Sequence, residues 1–489
     1  MAPPYTLTPE QTVKAAERQA ARLAKKAAKA AGTSQLTPEQ KLEEERRKFL
    51  KREWIDLRSA STENGGSRKV RIVTWNILAQ TLVRRELFPG SDCLRWSERR
   101  PLMQAELEHH SANDIICLQE CDRLPDYLSS LPKHSHVKGS GPGKLHGLVI
   151  LYRNDRFFVR GTKLVQLDLE SVATVPTDEE ASDEKHQDIR RRRGGSRQTK
   201  NVGLIVALEE SNAVGRGVVV ATTHLFWHPK YAYERVRQCI ILLRTIRQFQ
   251  QDNNCITWPV VFAGDLNTQP SEATYQLLVA PHKPLHSSMI DEIRSSRLVH
   301  DSVQKVPLSR DTSIPQPPSM SGTGANTPNA VAATESKVKD DDEDELPDSN
   351  EKSIANTRAP EEKDGMSTAE QLVALVQQLL PNEGARSAYG STSWSGGSTD
   401  TNMESFSRRG GFVPGLDAEG GGEPAYTCFT PLFRLTLDYL LILPPVDGGA
   451  RASVTGLLAP PRTEQLGEGL PRKGICASDH LAMGCEISW

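Results

Sequence analysis

The sequence lacks the apolar segments that mark membrane and secreted proteins. No apolar run approaches the roughly 20 residues that a membrane span requires, so we expect no membrane partner. The first residues contain no apolar stretch typical of a secretory signal. Residues 11–31 are rich in Ala, Lys and Arg, as in a mitochondrial transit peptide, but Glu17 is unfavourable there. We therefore expect a cytoplasmic or nuclear protein, with the mitochondrion left open.

The sequence also lacks a cysteine framework. Its eight cysteines are scattered, without the paired spacings of a disulfide scaffold. Cys117 and Cys121 lie close in sequence, but no CxxC motif or His pair accompanies them. Buried thiols are therefore the simpler interpretation than a zinc site. A reducing intracellular compartment is indicated.

Excess charge of either sign is absent, and hydrophobic residues are few. The formal net charge is −2, so nucleic acid would have to be bound through local basic clusters. Hydrophobic residues make up 37% of the chain, which is low for a sequence that folds throughout. We therefore expect parts of the chain to be disordered.

Residues 1–68 are predicted to form a basic arm and a linker outside the folded domain. From Thr8 to about Arg52 the sequence is dense in Ala, Lys, Arg and Glu, and Thr37-Pro38 is typical of a helix start. The apolar stripe of such helices is mostly alanine and buries little surface. This arm either touches RNA or ribosomal precursor particles, or is simply a solvated helix.

Residues 69–489 are predicted to form one domain with three interruptions. Residues 171–200 are polar and suggest a mobile insertion, and residues 390–422 suggest a Gly-rich loop. Residues 307–366 are rich in Ser, Pro and acidic residues, which cannot pack a core. We expect that segment to be a disordered acidic insertion.

Apolar strands that end in polar side chains recur along this domain. Val260 to Ala263, for example, runs directly into Gly264-Asp265-Leu266-Asn267. One such ending is explained equally well by an ordinary turn, but its repetition indicates a site at one sheet edge. We expect Gly264 to let a ligand approach the backbone closely. The polar residues at these strand ends are Asn76, Glu120, His224, Asp265 with Asn267, Asp438, and Asp479 with His480.

Carboxylates gathered in this way would repel one another without a cation. Oxygen ligands without thiolates favour Mg²⁺, with Mn²⁺ as a substitute. Such a metal suits the hydrolysis of a phosphate ester, because it neutralises the phosphate and stabilises the leaving oxygen.

These motifs in this order resemble the endonuclease/exonuclease/phosphatase superfamily, which has the DNase-I-like fold. The resemblance is carried by Thr74-Trp75-Asn76, Leu118-Gln119-Glu120, Thr223-His224, Gly264-Asp265-Leu266-Asn267, Leu437-Asp438-Tyr439 and Ser478-Asp479-His480. It implies an α/β protein with a four-layered sandwich, in which two packed mixed β-sheets are flanked by helices.

A narrower resemblance concerns the segment that follows His224. His224-x-x-Trp227-x-Pro229, with Arg235 on the next helix, is similar to the branch that contains the carbon-catabolite-repressor-type deadenylases, nocturnin and Angel. Lys144-x-His146 makes the chain most similar to the fungal Ngl RNA exonucleases. The resemblance implies 3′-to-5′ removal of nucleotides from RNA with a preference for poly(A), as in ribosomal RNA processing or mRNA deadenylation.

The same resemblance implies roles for the residues that handle metal and water. Glu120 would be the main Mg²⁺ ligand, and Asp479 would be a carboxylate on the metal side. Asp265 and Asn267 would orient the attacking water and hold a second metal.

It implies further roles in contacting the substrate. His480 would contact the scissile phosphate, and Asp438 would fix its tautomer and charge. Asn76 and His224 would hydrogen-bond to phosphate oxygens. Lys144 and Arg235 would grip the neighbouring nucleotide, while His146 or Trp227 would stack on a base. A purely structural position for Trp227 is equally compatible with the sequence.

Two alternatives stay open at this point. The same core site serves nucleotide phosphatases such as nocturnin, repair endonucleases and inositide phosphatases. A non-catalytic RNA-binding scaffold is the other alternative, although all the catalytic side chains implied by the resemblance are present.

Overall fold

The computed structural model describes residues 18–19, 22, 37–57, 69–172, 193–306, 356–392, 394, 404–446 and 448–489. The strands, in chain order, are β1 (Trp54–Asp56), β2 (Lys69–Asn76), β3 (Ile115–Gln119), β4 (His134–Gly139), β5 (Leu148–Arg153), β6 (Phe157–Gln166), β7 (Val202–Glu210), β8 (Gly217–His224), β9 (Val260–Asp265), β10 (Val299–His300), β11 (Thr357–Arg358), β12 (Arg386–Ser387), β13 (Cys428–Phe429), β14 (Arg434–Leu435), β15 (Asp438–Ile442), β16 (Ser453–Leu458) and β17 (Met483–Ser488). The helices are α1 (Pro38–Arg46), α2 (Trp96–His110), α3 (Leu124–Leu128), α4 (Ala232–Asp252), α5 (Ala273–Val279), α6 (Ser287–Ser295) and α7 (Ala369–Leu379).

Two mixed β-sheets form the centre of the fold. The first has the strand order β1-β16-β17-β2-β3-β5-β4, and the second has the order β12-β15-β9-β8-β7-β6. β2 and β3 are parallel, as are β8 and β9, whereas the other neighbouring pairs in these two sheets are antiparallel. The strands are rich in Val, Ile and Leu, which suit a buried pleated surface.

Alternate residues along the strands separate two apolar cores. In β7, Leu204 and Val206 face the first sheet, whereas Ile205 and Ala207 belong to the core under the helices of the second sheet. Helix α4 contributes Val236 and other apolar residues to that second core. On the other side, α2 packs Leu102, Met103 and Leu107 against the first sheet. The layers are therefore helix, sheet, sheet and helix, which confirms the predicted four-layered α/β sandwich.

The folded domain begins earlier than predicted. β1 pairs antiparallel with β16 at the edge of the first sheet, and Leu50 donates its backbone N–H to Ile475 O at 2.9 Å. Residues 48–57 were assigned to the arm because they follow a charged stretch, but their apolar side chains pack on the domain. The helix start at Thr37-Pro38 is as predicted, with a Thr37 side-chain cap. Most of the preceding arm lies outside the described residues.

The predicted bounds of two insertions include residues that are ordered in the structure. Residues 193–200 are ordered, because the buried Ser196 and Thr199 hydrogen-bond to Glu234 and Asp168. Residues 356–366 are ordered as well, since Arg358 forms an ion pair with the buried Asp364. The polar composition of both segments hid these buried contacts. Residues 173–192, 307–355, 395–403 and the whole linker at 58–68 lie outside the described residues.

The described residues provide evidence on two features that the sequence was expected to lack, a disulfide framework and a membrane span. All eight cysteines are buried free thiols, as predicted. Among the helices of the described ranges, none combines the length and the apolar character needed to cross a bilayer.

Gly264 serves strand packing, a role that the sequence did not predict. Its φ of 143° lies in the region that favours glycine, and a Cβ there would collide with the Thr223 carbonyl oxygen of β8. Thr223 is the direct register partner of Gly264 between the parallel strands. The glycine therefore allows β8 and β9 to stay paired up to His224 and Asp265 at their ends.

We expect Gly264→Ala to lower the free energy of unfolding by about 3 kcal/mol or more, because the clash adds to backbone strain. Gly90→Ala is a matched control. Gly90 also has a positive φ of 78°, but a Cβ at that position would meet nothing within 4 Å. Gly90→Ala should lower the free energy of unfolding by only about 1 kcal/mol, as measured by denaturant unfolding. Equal losses in the two variants would contradict the role assigned to the Thr223 contact.

Candidate active site

The polar strand ends meet at one end of the sandwich. Because β2 and β3 are parallel, Asn76 and Glu120 emerge side by side. The parallel pair β8 and β9 does the same for His224 and Asp265 in the second sheet. Asp438 opens β15 directly opposite Asp265 in the antiparallel register. The two sheets thus bring their polar ends together across the sandwich.

The Asn76 side chain joins the two sheets. Its Nδ2 donates to Glu120 Oε1 at 2.9 Å and to Asp265 Oδ2 at 3.0 Å. Its Oδ1 accepts from the backbone N–H of Leu78 at 3.1 Å, which orients the amide. One buried amide therefore holds two carboxylates within reach of a shared ligand.

Glu120 adopts an uncommon backbone conformation. Its φ of 56° lies in the left-handed region, which a residue with a side chain occupies only when its surroundings compensate. Compensation comes from the Ala79 backbone N–H, which donates to Glu120 Oε2 at 3.0 Å, and from the Asn76 amide. The strand end therefore aims this carboxylate into the site.

His224 lies between the two carboxylates. Its Nδ1 is 3.8 Å from Glu120 Oε1, and its Nε2 is 3.5 Å from Asp265 Oδ2. The ring is partly exposed, unlike its buried neighbours. His224 can therefore contact an anionic substrate from the open side of the site.

Asp438 and His480 form a buried pair. Asp438 Oδ2 lies 2.8 Å from His480 Nδ1, and the same oxygen accepts from Thr427 Oγ1 at 2.6 Å. The other ring nitrogen of His480, Nε2, is 3.8 Å from Asp265 Oδ2. The backbone carbonyl of His480 accepts from Trp75 Nε1 at 2.9 Å, which fixes the residue from behind. The pair has the geometry of a carboxylate-oriented imidazole.

Asn267 and Asp479 sit at the margin of the cluster. The Asn267 backbone N–H donates to Asp265 Oδ1 at 3.0 Å, and its side-chain amide donates to Leu225 O at 3.0 Å. Asp479 interacts electrostatically with Glu120 and receives a hydrogen bond from Ser478 Oγ at 3.3 Å. Both residues are partly exposed, so both can face a bound water or ion.

The four residues predicted to bind substrate occupy different environments. His146 is close enough to Glu120 to lower the pKa of that carboxyl group. Lys144 donates to Asn201 Oδ1 at 3.0 Å. Trp227 is partly exposed and its ring lies 5.2 Å from that of His228. These three residues border the site.

Arg235 is buried instead of reaching outward. Its guanidinium donates to His228 O at 2.7 Å and to Pro229 O at 2.9 Å, and it lies 3.5 Å from Glu272. Only 1% of the side chain is exposed. In this arrangement Arg235 supports the loop that carries Trp227 and does not itself grip a nucleotide.

Sequence reasoning missed Arg99, a fully buried arginine on α2. Its guanidinium donates to Ala477 O, Ile77 O and Leu78 O at 2.6–2.8 Å. It thereby ties the loop after Asn76 to the loop before Asp479. Its position in a charged helix suggested an exposed residue, and only tertiary structure shows that it faces inward.

Sequence reasoning also missed the hairpin formed by β13 and β14. Cys428 in this hairpin pairs with His480 through a backbone bridge, so the hairpin stands at the edge of the site. Phe433 at its turn is 43% exposed, which is unusual for a large aromatic residue. A solvent-facing ring in a hairpin that pairs with His480 is suited to stacking.

Burial and neighbouring charges shift the pKa values of the site. Burial raises the pKa of Glu120, but nearby histidines and the hydrogen bond from Asn76 outweigh it and hold the pKa below its ordinary value. Burial raises the pKa of both Asp265 and Asp479. For His480, burial lowers the pKa, but the surrounding acidic groups, led by Asp438, raise it well above the ordinary value.

The donor set fits a divalent cation. Buried carboxylates with raised pKa values are crowded together, and Asp438 Oδ1 has no hydrogen-bond partner within the described part of the chain. Ligand atoms of Asp265, Asp438 and His480 lie within 4.8 Å of one another. A cation would stabilise these groups in their charged form, and carboxylate oxygens suit a hard metal.

Comparison with known proteins agrees with this geometry. Residues 73–329, more than half of the chain, match the Endonuclease/Exonuclease/phosphatase family. A probable RNA exonuclease of Schizosaccharomyces pombe is 28% identical over an alignment 511 positions long. The alignment covers 99% of this chain and 89% of that protein. RNA exonuclease NGL2 of Saccharomyces cerevisiae is 27% identical, with 90% of this chain and 81% of that protein covered.

More partial or more distant likenesses point the same way. Human 2′,5′-phosphodiesterase 12 is 30% identical over 43% of this chain and 36% of that protein. The crystal structure of ANGEL2, described as a 2′,3′-cyclic phosphatase, superposes on this structure with a TM-score of 0.50 at 17% identity. The superposition covers 90% of this chain and 99% of that chain, and it shows a shared fold. The predicted superfamily is confirmed by the family match, and the predicted similarity to the Ngl RNA exonucleases is confirmed by the match to NGL2. With its two-sheet sandwich and its convergent polar strand ends, the chain belongs to the endonuclease/exonuclease/phosphatase family.

Proposed function

We propose that this protein is a Mg²⁺-dependent 3′-to-5′ RNA exonuclease with a preference for A-rich ends. The observation that carries the proposal is the junction of the Asp438–His480 pair with the Asn76-bridged carboxylates Glu120 and Asp265. Such a junction is suited to phosphodiester hydrolysis. Support for RNA as the substrate comes from the two relatives that align with nearly the whole chain, both of which are named RNA exonucleases.

Glu120, Asp265 and Asp479 would hold the metal, with Mn²⁺ as a substitute for Mg²⁺. A bound divalent ion supplies charge neutralisation at the phosphate and at the leaving oxygen, and it lowers the pKa of a coordinated water. Asn76 keeps Glu120 and Asp265 in position for this task through its two hydrogen bonds.

His480 would act on the phosphate through Nε2. Asp438 accepts a hydrogen bond from Nδ1, which fixes the ring orientation and favours the protonated imidazole. A protonated Nε2 donates to a phosphate oxygen as negative charge develops in the transition state. His224 would stabilise the same charge from its partly exposed position. The Asn76 amide already donates both N–H groups, to Glu120 and to Asp265, so it would act by holding these carboxylates and not, as the resemblance implied, on the phosphate itself.

Asp265 would orient and deprotonate the attacking water. Its carboxylate is fixed by Asn76 and by the Asn267 backbone N–H, so its free lone pairs have a defined direction. Asn267, held by Leu225 O, would position the same water through its side chain.

The open side of the site would bind the RNA 3′ end. Lys144 would face a phosphate, while His146, Trp227 and Phe433 provide aromatic surfaces for stacked bases. Arg235 would act indirectly, by supporting the loop that contains Trp227.

We expect Phe433→Ala to raise KM for an oligo(A)-tailed RNA by about 5- to 100-fold, since stacking contributes about 1–3 kcal/mol per base, and to change kcat much less. Phe158→Ala is a matched control, because Phe158 is 47% exposed on β6 and stands apart from the strand ends of the site. Steady-state kinetics measure both effects. An unchanged KM for Phe433→Ala would remove Phe433 from the substrate path.

Substrate class is tested with purified full-length protein and four substrates in Mg²⁺. These are RNA with a 3′ oligo(A) tail, the matched oligo(U) RNA, a 2′,5′-linked oligoadenylate and a nicotinamide dinucleotide phosphate. The proposal predicts fastest shortening of the oligo(A) RNA. Exclusive cleavage of the 2′,5′ linkage would favour the activity for which the human relative is named. Phosphate release from the dinucleotide alone would identify a nucleotide phosphatase.

The cellular setting is a further part of the proposal. An A-rich RNA end occurs in ribosomal RNA processing and in mRNA deadenylation, and the free thiols suit a reducing compartment. We place the protein in the cytoplasm or nucleus, with the basic arm contacting RNA or ribosomal precursor particles.

A further inference from the structure

A thiol lies beside the proposed catalytic histidine. Cys428 and His480 are opposed in an antiparallel bridge. Phe429 N donates to Asp479 O at 2.9 Å, and Leu481 N donates to Thr427 O at 2.8 Å. These two hydrogen bonds flank the Cys428–His480 pair, so it is a non-hydrogen-bonded pair, the type in which opposed side chains come closest.

Asp479 completes a group of three different donors. One ligand atom from each of Cys428, Asp479 and His480 lies within 4.8 Å of the others. The group therefore offers sulfur, nitrogen and oxygen, which is the ligand set that Zn²⁺ prefers and Mg²⁺ does not. Cys428 and His480 are buried and Asp479 is partly exposed, which leaves a polar side for entry of an ion.

His480 is already oriented as a metal ligand would be. Histidines that bind zinc usually donate from one ring nitrogen to a carboxylate and bind the metal through the other. The 2.8 Å contact between His480 Nδ1 and Asp438 has this form.

We propose that Cys428, Asp479 and His480 form an inhibitory Zn²⁺ site at the catalytic centre. Zn²⁺ binds the three side chains and a water, and the Cys428 thiol releases its proton to solvent as the Zn–S bond forms. A His480 ring bound to Zn²⁺ cannot donate to a phosphate, and an Asp479 carboxylate shared with Zn²⁺ is withdrawn from Mg²⁺. The site thereby stops hydrolysis while Mg²⁺ is present. This inference rests on the proposed function, because it assigns regulation to the same centre.

The first test measures hydrolysis of the oligo(A)-tailed RNA in saturating Mg²⁺ as buffered free Zn²⁺ is increased. We expect Cys428→Ser to keep the activity of the wild type without Zn²⁺ and to need at least about tenfold more Zn²⁺ for half-inhibition, since a direct ligand is lost. Cys255→Ser is the matched control. Cys255 is also a buried thiol, and it belongs to none of the metal-binding groups found among the described residues. Equal Zn²⁺ sensitivity of all three proteins would overturn the inference.

The second test needs no enzymatic activity. Cd²⁺ alone is titrated into each protein, and the ultraviolet charge-transfer absorption of a cadmium–thiolate bond is recorded. The wild type and Cys255→Ser should show one saturable equivalent, which Cys428→Ser should lack. A band that persists in Cys428→Ser would refute the site even if the protein were inactive on RNA. Conversely, RNA hydrolysis without any Cys428-dependent metal effect would leave the proposed function standing and remove only this inference.

Discussion

His480→Ala lowers kcat by about 10²- to 10⁴-fold on our account, and it changes KM only a few-fold. The reason lies in the Asp438 contact with Nδ1, which prepares the imidazole to stabilise charge that appears only in the transition state. An interaction of that kind contributes to the rate of the chemical step and little to ground-state binding. Single-turnover kinetics on an oligo(A)-tailed RNA separate the two effects.

Two further variants sharpen this prediction. Asp438→Asn retains the size of the side chain but removes the charge that favours protonated His480, so it should reproduce much of the loss in kcat. His136→Ala is the control, because His136 lies on β4 at the edge of the first sheet and should leave kcat unchanged. Near-normal turnover in His480→Ala would contradict the role given to the Asp438–His480 pair.

Glu120→Gln should abolish hydrolysis supported by Mg²⁺, with a loss of at least about 10³-fold, while the protein stays folded. The substitution keeps an oxygen that can accept from the Ala79 backbone N–H, but it removes the negative charge that a metal requires. A Mg²⁺ titration of the rate, together with thermal unfolding, measures both parts of the prediction.

Glu108→Gln provides the control for Glu120. Glu108 is an exposed residue of α2 that pairs with Arg47 at the protein surface, so its variant should retain the wild-type dependence on Mg²⁺. Retention of full activity and unchanged Mg²⁺ dependence in Glu120→Gln would show that the metal is held elsewhere.

The proximity of the polar residues in the candidate site was predictable because strand topology brings the ends of neighbouring strands together. Asn76, Glu120, His224 and Asp265 each stand at or directly after the carboxyl end of a strand, and these strands are paired in parallel within their sheets. A pattern of apolar runs with polar ends therefore located the site without knowledge of the contacts. The four-layered architecture was implied by the resemblance to the endonuclease/exonuclease/phosphatase superfamily, which the order of these motifs carries.

Contacts between distant segments were not predictable in this way. Arg99 joins residues 77–78 to residue 477 from the first turn of a charged helix, and nothing in its neighbours in sequence distinguishes it from exposed Arg100. Arg235 was assigned to the substrate because the resemblance places a basic residue at this position, but the backbone carbonyls of residues 228 and 229 accept hydrogen bonds from it inside the fold. The direction of a long charged side chain depends on tertiary partners.

Local composition also led to wrong predicted boundaries for two insertions in the domain. Residues 193–200 and 356–366 are polar and adjoin the most polar stretches of the chain, yet Ser196 and Asp364 are buried. Each is stabilised by specific partners, Glu234 in one case and Arg358 in the other. Hydrogen bonding to partners remote in sequence can order a segment whose own hydrophobicity would not.

The central claim is that one metal-dependent site removes nucleotides from the RNA 3′ end. Its most direct test follows a 5′-end-labelled RNA with a 3′ oligo(A) tail over time, in Mg²⁺ and in EDTA, with wild-type protein and His480→Ala. The account predicts a ladder that shortens progressively from the 3′ end in Mg²⁺ with the wild type, and full-length RNA in the other conditions. A ladder that forms at the wild-type rate in EDTA or in His480→Ala, or immediate release of short labelled fragments from the 5′ end, would contradict it.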